Sequence, residues 1–124
     1  TFKYSNLKLV KGDDSNPAIV TAQVDIENTG KVPGAEIAEL YVHERKPHLF
    51  RPEKELKGFK RVFLQPGQKE TVAIPLGKTA FAYYDPARKS WVAQKDQFRI
   101  LLGSSSKDIR LSAKFNLPET LTLN

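Results

Sequence analysis

Residues 18–28, AIVTAQVDIEN, alternate without a break: Val20, Ala22, Val24 and Ile26 fall on one side, Thr21, Gln23, Asp25 and Glu27 on the other. Side chains of an extended chain point alternately to opposite faces, whereas a helix would scatter this pattern around its circumference. The run therefore reads as an antiparallel strand with one face in a core and the other in water. Residues 109–117, IRLSAKFNL, repeat the pattern, with Ile109, Leu111, Ala113, Phe115 and Leu117 opposed to Arg110, Ser112, Lys114 and Asn116.

Strand character recurs at 35–43, 57–64, 70–76, 90–93 and 96–103, and the runs NTGKVPG, QPGQ, DPARKS and GSSSKD between them carry the residues that reverse a chain. Pro75 removes a ladder donor, which places the 70–76 strand at a sheet edge or ends it there. No segment sustains a helical period; residues 77–85 have room for a single turn. Seven or eight short strands in one 124-residue domain, 1–124, point to an antiparallel β-sandwich. A small closed barrel is the alternative, disfavoured by uneven strand lengths and connections. One connection breaks the rhythm: from His43 to Glu55 the chain reads HERKPHLFRPEKE, and a loop of that length in a compact domain is usually functional or docked.

The absence of cysteine removes disulfides, thiolate metal sites and thiol nucleophiles. The net charge of +6 would steer acidic partners, but 14 carboxylates are interspersed with the 20 basic residues, and Glu44, Glu53 and Glu55 dilute the most basic region. That argues against nucleic acid as a partner. No apolar run is long enough to span a bilayer and no leader pattern opens the chain, so it is expected to be soluble, mature or a fragment, with no membrane partner.

Each candidate for chemistry has a plainer reading beside it. Glu53 and Glu55 are spaced like a glycosidase carboxylate pair, but Arg51, Lys54 and Lys57 around them favour the ionised form, the wrong direction for a general acid. His43 and His48 have Glu44 nearby but no recognised ligand spacing, so surface or docking roles are expected, with no metal and no cofactor. Trp91 and Tyr84, with Tyr83 and Phe81, are candidates for stacking on a sugar; their positions around DPARKS favour cross-strand partners in a hairpin.

The order NTG, GAEIAELYV, RPEKELKGFKRVFLQPGQ, YYDPARKSWV and DQFRILLGSSSKDIRL resembles the C-terminal fibronectin type III-like domain of family-3 glycoside hydrolases, especially β-glucosidases. The resemblance runs over nearly the whole chain, and RPEKELKGF followed by LQPG is its most specific part. It implies an all-β, immunoglobulin-like antiparallel sandwich without catalytic residues of its own. In that family a barrel domain and an α/β-sandwich domain carry the nucleophile and the acid/base. The implied role is structural: the loop residues His43, Glu44, Arg45, His48, Phe50, Arg51, Pro52 and Glu55 would dock on those domains, near an oligosaccharide at the substrate entrance. An independent carbohydrate-binding or cell-surface adhesion module using Trp91 and Tyr84 is the alternative. The family also favours a periplasmic or extracellular location, which the residues themselves do not specify.

Overall fold

A computed structural model describes residues 1–13, 16–47 and 49–123. Among these residues, ten strands run β1 Phe2–Asp13, β2 Asn16–Asn28, β3 Gly34–Glu44, β4 Glu55–Leu64, β5 Lys69–Leu76, β6 Ala82–Asp85, β7 Ser90–Ala93, β8 Asp96–Ser105, β9 Asp108–Leu117 and β10 Leu121–Leu123. Seven of them form two antiparallel sheets, ordered β1-β2-β5 and β4-β3-β8-β9. The chain crosses between these sheets from β2 to β3, back from β4 to β5, and again from β5 to β8, as expected of an immunoglobulin-like sandwich. The other three strands make a small third sheet, β10-β7-β6, inserted in the last crossing and closed by the chain's end. A 3-10 turn, Lys78–Phe81, occupies the stretch 77–85, which has room for a helical turn.

The alternating runs become the two walls of the core. Val20, Ala22, Val24 and Ile26 of β2 are fully buried, facing Ala38, Leu40 and Val42 of β3 and Phe98, Ile100 and Leu102 of β8. Phe81 from the 3-10 turn plugs one end, its ring edge-on to Phe98 at 5.0 Å. Two charge contacts close the β1–β9 side: the Arg110 guanidinium lies 5.1 Å from the centre of the Tyr4 ring and donates to the Phe2 carbonyl at 2.6 Å.

Local chemistry explains the edges of this frame. β5 pairs only with β2, and Pro75 stands opposite Thr21, so the missing N–H falls on an edge strand. Between β4 and β5, Pro66-Gly67 forms a turn closed by a Gln68 N–H to Gln65 carbonyl bond of 3.0 Å, and Gly67 takes the positive φ of 79° that its second position demands. In β4, Gly58 faces the opposite sheet, and a Cβ there would stand 2.7 Å from Cγ2 of Ile74. The register slips beside it, Leu40 pairing with Gly58 but Tyr41 with Leu56. Lys57 is thus the extra residue of a bulge, which bends the strand as it leaves the loop.

Candidate functional site

The long connection is shorter and better anchored than its sequence suggests. His43 and Glu44 belong to β3 and Glu55 opens β4, leaving 45–54 as the loop proper. The Arg45 N–H donates to the Gln97 carbonyl and the Lys46 N–H to Asp96 Oδ2, at 3.0 and 2.8 Å. At the far end the His43 ring Nδ1–H donates to the Glu53 carbonyl at 2.8 Å, and Lys54 Nζ to the Ser106 carbonyl at 2.7 Å. His48 lies outside the described residues.

Arg51 is the centre of this anchoring, and it turns inward rather than toward a neighbour. It is only 8% exposed. Nε donates to Glu55 Oε1 at 2.8 Å, Nη1 to Glu44 Oε1 at 2.8 Å and to the Phe81 carbonyl at 3.1 Å, and Nη2 to the Ala82 carbonyl at 3.2 Å. Its guanidinium also lies 5.7 Å from the centre of the Tyr83 ring. The planar fork is the one side chain able to meet two carboxylates and two carbonyls at once. It fastens the loop to the start of β6.

Glu44 is buried beside it and behaves as an unusual acid. Burial raises its pKa to about 7, the facing Asp96 carboxylate adds to the rise, and the Arg51 guanidinium opposes both. Its Oε2 has no hydrogen-bond partner while ionised, and a proton there has Asp96 as its acceptor. A carboxyl held near neutrality is the property of a general acid. The cleft beside Arg51, however, is bounded by Leu49, Phe50, Pro52, Glu55 and the β6–β7 hairpin, without Glu44. Of the pair Glu53 and Glu55, the second is held by Arg51 at 2.7 Å with Lys57 at 3.8 Å. Among the described residues no group of three or more His, Asp or Glu gathers as a metal site.

With its ends pinned, the loop displays what remains. Phe50 is 94% exposed, and Leu49 and Pro52 are also exposed. Across a cleft of about 340 Å³ stand Tyr84 and Trp91, cross-strand partners in the β6–β7 hairpin, their rings edge to face at 5.7 Å. The hairpin role foreseen for them holds, but both are about half exposed and lie outside the core. Phe81 is the member of that aromatic group that packs inside.

A further exposed apolar surface lies on one of the two large sheets. On the outer face of the β4-β3-β8-β9 sheet, Phe59 is 67%, Phe63 55%, Leu56 51% and Ile37 44% exposed. Their register joins them: Ile37 stands opposite Arg61, which lies between Phe59 and Phe63 on the same face, and Leu56 stands opposite Tyr41. The alternation of 59, 61 and 63 against buried Val62 and Leu64 was the available signal, because an apolar residue on the outward parity of a half-buried strand has no core to enter.

The sequence profile of the fibronectin type III-like domain matches residues 36–106. The chain belongs to that family. This fibronectin type III-like domain is 43% identical to thermostable beta-glucosidase B of Acetivibrio thermocellus, over 98% of its own length and 16% of that protein's. Among solved structures it resembles the GH3 beta-glucosidase of Bifidobacterium adolescentis, with a TM-score of 0.88, 30% identity, and 94% of this chain against 17% of that one. Beta-glucosidase 3B from Thermotoga neapolitana matches with a TM-score of 0.88 at 29% identity, over 99% of this chain and 16% of that one. The domain thus spans about a sixth of the length of these relatives, and it matches a domain-sized part of larger glucosidases.

Proposed function

We propose that this chain is the non-catalytic C-terminal docking domain of a retaining β-glucosidase that hydrolyses terminal non-reducing β-D-glucosyl residues. Its role is to stabilise the catalytic domains and to border the substrate entrance. The observation that carries this reading is the apolar outer face of β3 and β4. Exposed edge strands are normally blunted with charge or covered, because unpaired backbone groups beside apolar side chains invite aggregation. β4 is an edge strand, and Leu56 and Phe59 on it belong to KELKGF, within the run that carries the family resemblance. A neighbouring domain of the same polypeptide is the natural cover. The loop contributes through Phe50, Leu49 and Pro52, while Arg51, Glu44 and Glu55 set its shape.

The test compares two contexts. Phe59→Ser with Phe63→Ser in the full-length glucosidase should lower its melting temperature by several degrees, and in the 124-residue chain should leave melting nearly unchanged while reducing self-association. A full-length variant that melts with the parent would overturn the reading.

A second reading, an oligosaccharide site, rests on the cleft walled by Phe50, Tyr84 and Trp91. Trp91 is the only tryptophan, so titration with cello-oligosaccharides up to millimolar concentration should give a saturable change in its fluorescence. An unchanged signal removes this reading.

A further inference from the structure

The outer face that is apolar along β3 and β4 changes character toward β9. His43 pairs with Arg99 across β3 and β8, and Arg99 with Lys114 across β8 and β9, so the three stand in one row on one face. Arg45 and Lys54 close over the row from the loop, and Glu53 is the one carboxylate among the lining residues of the resulting cleft of about 660 Å³. Leu101 and Ile109 supply apolar lining.

The arrangement is costly for the domain alone. Like charges directly opposite on paired strands repel, and an apolar surround screens them poorly. Four cations outside the cleft, Arg51, Lys57, Arg88 and Arg110, meet a carboxylate within 4 Å, and lone exposed lysines stand elsewhere on the surface; what sets the cleft apart is that its cations are gathered in one place. In this cleft, among the described residues, Arg45, Lys54, Arg99 and Lys114 form no ion pair; Lys54 reaches only the Ser106 carbonyl.

We infer that this cleft receives the carboxylate side chains of an acidic segment in the polypeptide beyond these 124 residues. The inference rests on the docking reading for the identity of that partner. It deepens it by assigning chemistry to the polar half of the interface: an apolar strip on β3 and β4 to exclude water, and a cationic cleft beside it to select orientation. The continuity of cleft and strip on one sheet face favours a single covering surface over a free anion.

The chain itself supplies the test. Fluorescein-labelled hexa-aspartate, followed by fluorescence anisotropy in low salt, should bind saturably, and Arg99→Glu with Lys114→Glu should weaken binding by about tenfold or more. Lys31→Glu with Lys60→Glu makes the same change in net charge at exposed residues away from the cleft and should weaken it by less than about twofold. Far-UV circular dichroism establishes that both variants are folded. Absent binding, equal weakening by the two variants, or tighter binding of an oligonucleotide of the same charge overturns the acidic-segment assignment. These outcomes leave the docking reading to its own test, Phe59→Ser with Phe63→Ser in the full-length enzyme; if that too is silent, both fall.

Discussion

Arg51 and Glu44 show how one residue's surroundings reverse its apparent use. A guanidinium in a charged loop suggests an anchor for another molecule, yet every nitrogen of this one is engaged within its own domain. Breaking a buried pair leaves the other charge uncompensated, so Arg51→Ala should lower stability by about 3–5 kcal/mol in urea denaturation. Arg51→Lys should recover little, because an ammonium cannot reproduce the fork. Glu44 predicts a pH dependence of definite sign. Its folded pKa, about 7, lies above its ordinary 4.5, so between these values the folded chain holds the extra proton. Glu44's contribution is therefore fully present below about pH 4.5 and is lost as pH rises through 7. Urea midpoints taken across that window should decline for the parent, and Glu44→Gln, whose amide N–H can donate to Asp96, should flatten the decline.

At the scale of elements, strands were legible where burial is one-sided and the register unbroken. β2 follows that rule from Val20 to Ile26 and β9 from Leu111 to Leu117; at Arg110 the register against β8 shifts, and Ile109, expected on the core side with Leu111, lines the outer cleft instead. β1 does not follow it: Phe2 and Tyr4 share one parity and Leu7 and Leu9 the other, because Asn6 takes a positive φ of 56° at a register shift between Ser5 and Lys8. The slip of one residue hides a 12-residue strand from a period-two reading. β10, three residues long, is too short to show any period. Two glycines test the packing between elements. Gly58→Ala pushes against the Cγ2 of Ile74, a side chain that can shift, and should cost about 1–3 kcal/mol. Ile74→Ala should then cost less in that background than alone, as a double-mutant cycle would show. Gly103→Ala would drive its Cβ into the Asp108 carbonyl oxygen, main chain that cannot rotate away, and should disrupt the β8–β9 hairpin more severely.

For the whole molecule, the two sheets bury one face each and leave the other for a partner or for water. The β4-β3-β8-β9 sheet does not leave a uniformly polar outer face: it carries aromatic residues at one side and unpaired cations at the other. The sandwich class, the turn at Gly67 and the edge position of Pro75 followed from the sequence, because each depends on local rules of alternation, φ or a missing donor. The family followed as well, through RPEKELKGF. The placement of Arg51 inside the domain, the joining of Phe59 and Phe63 with Ile37 on one face, and the row His43, Arg99, Lys114 did not. They depend on which strands become neighbours and in what register, a long-range outcome of burying both alternating faces together, so only the tertiary structure decides them.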